Sequence, residues 1–247
     1  DILNISSSLK KILLDKIFIF YPSPRLYIAA KLAGIKKIYN YPLFKKKNLH
    51  LVNAAYKFTC ESLNINSCPT ETKFFVKDDK INKAKKYFIK DNFNVVIGAG
   101  SSGPDTRWGN ENFISLINKL NENGNYYFYI QCGPEQNEIS NNIIEKIKKK
   151  NCMDLSKMNI SEIIPILYLC DLYIGNDSFP HHITSQCNNP SIVLLLNSPK
   201  AYSDYSKNHH RIIPENAKIE ELDHSSNYKA DSISIEKVYN KIIELKN

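Results

Sequence analysis

The chain has 247 residues, 43% of them apolar, and a formal net charge of +8 at pH 7. That is enough to bury one large core or two modest ones. No apolar run approaches the roughly 20 residues that span a bilayer, and nothing at the start resembles a signal peptide.

In chain order, the periodicity predicts a helix over residues 6–14, a strand over 16–20 and, after Pro22-Ser23-Pro24, a helix over 25–33 that ends at Gly34. A strand near 36–39, a long loop, a helix over 49–63 and a short strand at 73–76 follow. Lysine-rich 78–90 reads as a helix linking two lobes, giving expected domains at 1–77 and 78–247. The second lobe continues with strands at 94–97, 126–131 and 153–155, separated by helices that start near Phe113, Glu135 and Ser161. A strand over Leu172–Ile174 is expected to turn at Gly175-Asn176 directly into a helix. Ser191–Leu196 is a nearly continuous apolar strand, 210–213 a candidate edge strand, and Ile235, Val238, Tyr239, Ile242 and Ile243 share one face of a final helix. Strands alternating with helices make the class α/β with mainly parallel sheets. The first lobe, with three expected strands and no opening β-α-β unit, looks incomplete, and the chain begins at Asp1 without methionine, as a fragment or processed chain would.

Six cysteines, at 60, 68, 132, 152, 170 and 187, form no C-x-x-C pair and mostly fall in apolar periodic segments. They read as reduced core residues. Lysine clusters at 45–47, 83–86 and 148–150 fall in a loop and on polar faces or ends of expected helices. Without an aromatic-basic motif or zinc-finger spacing they do not indicate nucleic acid; an anionic membrane surface suits them better.

Two strand-to-helix corners carry the chemistry. Asp171-Leu-Tyr-Ile-Gly-Asn-Asp-Ser-Phe-Pro-His-His-Ile-Thr184 places Asp177 and Ser178 where an N-cap falls and Pro180 in the first turn. A helix N-terminus there is a ready phosphate site, and Asn176, Asp177, Ser178, His181 and His182 are residue types suited to a ligand. They equally suit a capped structural helix. Adjacent histidines point about 100° apart on a helix, which argues against a metal site at His181 and His182.

The second corner is Gly98-Ala-Gly-Ser-Ser-Gly103-Pro-Asp-Thr-Arg-Trp108 after the strand at 94–97. Its glycines match the letters of a dinucleotide fingerprint, which suggests an NAD enzyme or a methyltransferase. However, Gly103-Pro104 breaks the chain before any helix, and no acidic residue ends the next strand.

Together, Gly98-Ala-Gly-Ser-Ser…Arg107-Trp108, Cys132-Gly-Pro-Glu135 and Gly175-Asn-Asp-Ser-Phe-Pro-His-His182 resemble glycosyltransferase family 9, the lipopolysaccharide heptosyltransferases. A weaker likeness extends to Ile17-Phe-Ile-Phe-Tyr…Ala29-Ala-Lys-Leu-Ala-Gly34. The resemblance implies a GT-B fold, two Rossmann-like lobes with the donor held by the C-terminal one. It also implies an inverting reaction that needs no metal and no cofactor. The expected donor is ADP-heptose-like, the acceptor a lipid-linked saccharide, and the place cytoplasmic, with peripheral contact at the inner membrane face.

On this resemblance Ser101 and Ser102 cradle the diphosphate and Arg107 balances leaving-group charge, its alternative being a surface ion pair. Glu135 accepts ribose hydroxyls, its alternative being a first-turn helix acid. Asp177 meets sugar hydroxyls, since phosphate would repel it; its alternative is a plain N-cap. Ser178 and His182 match donor-contacting positions, and Trp108 reads as packing under the loop. The sequence departs from the family at Thr106, where lysine is usual, and at Phe179, where glycine is usual. The Gly-Asp loop that supplies the family's presumed general base is not matched. A nucleotide-sugar epimerase of the same fold and a non-catalytic nucleotide-sugar-binding module therefore stand as alternatives.

Overall fold

The computed structural model describes residues 1–42 and 50–246, in two compact units, Asp1–Thr70 and Glu71–Asn247. The lysine cluster at 45–47 lies outside the described residues.

Unit 1 contains α1 (Ile2–Ile12), β1 (Lys16–Ile19), α2 (Pro24–Leu32), β2 (Lys37–Asn40) and α3 (Leu51–Leu63). Local chemistry sets its helix ends. Ser23 Oγ accepts from the N–H of Leu26, Pro24 opens α2, and Gly34, at φ +81°, takes the left-handed conformation that closes it. β1 and β2 pair in parallel, and Phe18 stacks on Tyr39 with ring centroids 4.5 Å apart. Phe58 from α3 meets Phe18 and Phe20 edge-on.

Unit 2 opens with α4 (Asp78–Ala84) and continues through β3 (Phe93–Gly98), α5 (Asn110–Glu122), β4 (Tyr126–Gln131) and α6 (Asn137–Lys146). Then come β5 (Cys152–Asp154), α7 (Ile160–Leu169), β6 (Leu172–Asn176), α8 (Phe179–Gln186), β7 (Ser191–Leu194), β8 (His209–Ile212) and α9 (Ile235–Lys246). The six strands form one parallel sheet in the order β5-β4-β3-β6-β7-β8.

Alternate residues of the central strands feed two cores. Val95, Ile97, Phe128, Ile130, Leu172 and Ile174 join α5, α6 and α9 in one core. Val96, Tyr129 and Tyr173 join α4 and α7 in the other. With both faces covered, strands are expected to be largely apolar, as these are apart from buried polar residues such as Asn94, Gln131, Asn176 and Ser191.

Four sequence expectations are corrected. Residues 73–76 alternate in exposure as a strand would, but among the described residues their one ladder-like bond is Phe74 N–H to the Gln186 carbonyl, 3.0 Å, and Phe75 is exposed. Among the described residues the segment pairs with no strand and falls in unit 2, while unit 1 has a two-stranded sheet. The helix over 78–90 stops at Ala84 and tightens into a 3₁₀ turn over Lys85–Tyr87. Tertiary contacts take over there: Tyr129 Oη donates to the Tyr87 carbonyl at 2.9 Å and Phe88 packs on the Tyr129 ring. Gly175 and Asn176 are the last residues of β6 rather than a turn, because they still pair with Val193 and Leu194. Finally, only Cys132 and Cys170 are fully buried; all six thiols are free, and Cys60 and Cys68 are half-buried with their Sγ atoms 3.7 Å apart.

Lys83, Lys85 and Lys86 are solvent-facing, as are Lys148, Lys149 and Lys150. Among the described residues no helix is long and apolar enough to cross a membrane.

Candidate functional site

The chain runs outward from β3 through β4 to β5, then returns to lay β6 on the other side of β3. The order therefore reverses between β3 and β6. At such a switch point the loops beyond the strand ends diverge to opposite faces and leave a crevice for a ligand. Register places Gly98 beside both Gln131 and Gly175, so the loops after β3, β4 and β6 leave the same sheet edge side by side. The three sequence motifs are thereby brought together.

The glycines at this edge serve close approach between chains. A Cβ on Gly175 would lie 2.4 Å from the Gly98 carbonyl oxygen, and one on Gly98 would lie 2.0 Å from Tyr173 Oη. A Cβ on Gly100 would lie 2.4 Å from Gln136 Oε1 and 3.0 Å from the Cys132 Cα. Tyr173, fully buried, fills the space the glycines leave and donates to the Asn176 carbonyl at 2.9 Å. Burial pushes its phenol well above the usual tyrosine value.

Asn176 and His181 do not face a ligand as their residue types suggested; both are fully buried. The Asn176 side chain clamps the two corners, its Oδ1 accepting from Trp108 N–H at 2.9 Å and its Nδ2 donating to the Ala99 carbonyl at 2.7 Å. Trp108 is packing, as expected: it is wholly buried, edge-on to Phe113, with Nε1 donating to the Ile233 carbonyl.

Within the first loop, the Ser101 hydroxyl is buried and turned inward, 2.8 Å from the Gly103 carbonyl and from Thr106 Oγ1. Thr106, which stands where the family has lysine, also donates to the Gly103 carbonyl and so braces the loop. Ser102 is exposed at its tip. Arg107 makes no ion pair among the described residues. Its Nη2 donates to the Ser101 carbonyl at 2.9 Å, which also accepts from Gln136 Nε2 at 2.8 Å. Arg107 Nε and Gln136 Oε1 are buried with no hydrogen-bond partner among the described residues. Nearby Cys132 has its thiol pushed up to about 12, by burial first and the Asp154 charge second, against the lowering effect of Arg107. Glu135 is exposed in the first turn after Gly133.

At the other corner no side chain caps α8. Ser178 occupies the cap position in extended backbone, but its hydroxyl donates to the Asn176 carbonyl at 3.3 Å and lies 3.2 Å from Tyr173 Oη. Asp177 does not cap either. Its carboxylate, 11% exposed, stands 3.5 Å from His182 Nε2. The other ring nitrogen of His182 is hydrogen-bonded to Tyr205 Oη. Tyr205 and His209 were not singled out from sequence; Tyr205 lies in an irregular segment 23 residues from His182, and no local pattern marks it.

His181 and His209 stack with centroids 4.4 Å apart. Each is anchored by a serine, His181 Nδ1 to Ser191 Oγ and His209 Nε2 to Ser185 Oγ, both at 2.7 Å. Burial lowers His181 well below the usual histidine value, with His209 and His182 adding repulsion. His209 is lowered to about 4 for the same leading reason. Both are neutral at pH 7. Among the described residues no group of three or more His, Cys, Asp or Glu side chains is placed to hold a metal ion.

The sequence profile of glycosyltransferase family 9 (heptosyltransferase) matches residues 30–230. Lipopolysaccharide heptosyltransferase 1 of Campylobacter coli is 26% identical over 181 residues, covering 69% of this chain and 53% of that protein. The chain thus spans about half the length of that relative. The structure of E. coli ADP-heptose lps heptosyltransferase II superposes with a TM-score of 0.77 at 16% identity, over 99% of this chain and 80% of the other. E. coli heptosyltransferase WaaC with ADP gives 0.70 at 15% identity, over 97% and 77%. These likenesses agree on the fold, α/β of the GT-B type.

Proposed function

The chain belongs to glycosyltransferase family 9, and on that premise we propose that it moves a heptose or related sugar from a nucleotide-sugar to a saccharide acceptor of the lipopolysaccharide type. In this reading residues 78–247 hold an ADP-heptose-like donor and residues 1–77 form the acceptor side. The acceptor is lipid-linked and met at the inner face of the cytoplasmic membrane. The observation that carries the reading is the convergence of the three motif loops at the switch point between β3 and β6. That the WaaC structure was solved with ADP is in keeping with a donor that carries an adenine nucleotide.

Transfer requires the sugar–phosphate bond to break while negative charge gathers on the departing diphosphate. Here the charge is met by Arg107, which the Ser101 carbonyl fixes in place, and by N–H groups of the loop after β3 and of the uncapped start of α8. The inward-turned Ser101 hydroxyl shapes that loop, leaving Ser102 to contact the diphosphate. Supplied this way, the positive charge does the work that a divalent cation does elsewhere; the acceptor hydroxyl oxygen bonds to the anomeric carbon with inversion as the sugar–phosphate bond breaks, and its proton passes to a general base outside the three motif loops. Glu135 takes the ribose hydroxyls, and Asp177 takes hydroxyls of the sugar, with Ser178 and His182 beside it.

The test is calorimetric titration of ADP, UDP and GDP, with ADP-heptose titrated into wild type and Asp177→Ala. ADP alone among the three should bind, and the variant should lose only the sugar's added affinity. Equal binding of the three nucleotides, or of ADP-heptose by both proteins, refutes the reading. In a transfer assay, Arg107→Ala should lower kcat by about 10²- to 10³-fold, the range found on removing one donor to developing charge.

A further inference from the structure

We infer that Tyr205 is a positioning residue for Asp177, acting through His182: it sets the tautomer that turns an N–H, rather than a lone pair, toward the Asp177 carboxylate. This rests on the assignment of Asp177 to sugar hydroxyls made above.

A neutral imidazole carries one proton, and the partner of one nitrogen decides which nitrogen holds it. Tyr205 Oη is hydrogen-bonded to His182 Nδ1, and Asp177 Oδ1 faces Nε2 at 3.5 Å. A proton on Nδ1 would leave the Nε2 lone pair pointing at a carboxylate, acceptor against acceptor. With Tyr205 donating to Nδ1, the proton sits on Nε2 and both ends are satisfied. Burial pushes the Tyr205 phenol up to about 12, so it stays protonated at neutral pH and has a proton to donate.

Packing fixes the tyrosine in turn. Its ring stacks on His182 at 5.9 Å and 23°, and meets His209 edge-on at 4.6 Å and 90°. His209 is itself held by Ser185 Oγ from α8. The phenol is therefore wedged between α8 and the start of β8, with its hydroxyl aimed at the ring it orients. Asp177, only 11% exposed, capping no helix and facing His182 alone among its described ion-pair partners, keeps its direction through this chain of contacts.

The experiment is long-range ¹⁵N–¹H spectroscopy of the full chain with labelled histidine, the His182 signals being assigned by their loss in His182→Gln. Wild type should show His182 protonated on Nε2, and Tyr205→Phe should shift it toward a mixture. In calorimetry Tyr205→Phe should weaken ADP-heptose about 5- to 10-fold, the worth of one hydrogen bond, and leave ADP within about twofold. Glutamine at 182 offers an amide N–H without Tyr205's help, so adding Tyr205→Phe to His182→Gln should cost no more affinity. An Nδ1 proton in wild type, an unchanged spectrum in Tyr205→Phe, or additive losses in the double variant overturn the inference. The wild-type spectrum decides even if the variants fold poorly. If Asp177→Ala loses the sugar and Tyr205→Phe does not, this inference alone fails. If Asp177→Ala loses nothing, the proposed function fails with it.

Discussion

Asn176 joins the two corners with one side chain, so its loss strands two buried backbone groups, the Trp108 N–H and the Ala99 carbonyl. An unsatisfied buried group costs about 1–3 kcal/mol. Asn176→Ala should therefore destabilise the chain by roughly 2–5 kcal/mol in urea unfolding, the two losses being partly relieved by relaxation. A change within about 0.5 kcal/mol would show that the clamp does not hold the corners. Asp177, the residue just beyond β6, looks like a cap in sequence but has its carboxylate turned to His182 instead. Residue type announced a polar corner; it did not announce which polar residues would be buried to build it and which would be left to face a ligand.

At the scale of elements, α8 is fixed to β7 and β8 through His181, His209 and their serines. Both histidines are neutral in the folded protein because burial lowers their affinity for protons, whereas in the unfolded chain they protonate near pH 6.5. The unfolded state thus binds more protons between about pH 6.5 and 4, so stability falls as pH is lowered through that window and is flat above it. Each proton contributes a slope of up to about 1.4 kcal/mol per pH unit. Thermal unfolding followed from pH 7.5 to 4.5 should show the drop, and His209→Asn should flatten it; an equal slope in the variant would assign it elsewhere. α7 makes a different point. Pro165 lies inside it, yet the helix runs unbroken from Ile160 to Leu169, started by the Asn159–Glu162 capping box and held by burial of Ile163, Ile166 and Leu167. Packing outweighs the missing hydrogen bond.

For the molecule as a whole, the two units differ in how much they bury. Both large cores lie in unit 2, whereas among the described residues of unit 1 the buried apolar ones are Ile19, Ala29, Ala30, Ile35 and Phe58. Leu13, Tyr21 and Leu3 of unit 1 are 87%, 75% and 67% exposed. A two-stranded sheet with so small a core is the weaker unit, so limited proteolysis should cut within residues 1–70 well before it cuts within 90–246. Simultaneous loss of both would contradict this.

The sequence by itself determined the alternation of strands and helices, the family and the three motif loops, because apolar period, glycine spacing and cap residues are written locally. It also placed nearly every element of unit 2 to within a few residues, helped by the largely apolar runs of a sheet covered on both faces. It overreached at residues 73–76 and at Gly175-Asn176, where the period was right but pairing with another strand decided the outcome. Only the tertiary structure decided the strand order, and with it the switch point that gathers the loops. Only it, too, brought Tyr205 to His182 and Asn176 to Trp108. Those contacts join residues far apart in the chain and depend on which strands become neighbours, a choice made by the packing of the whole sheet.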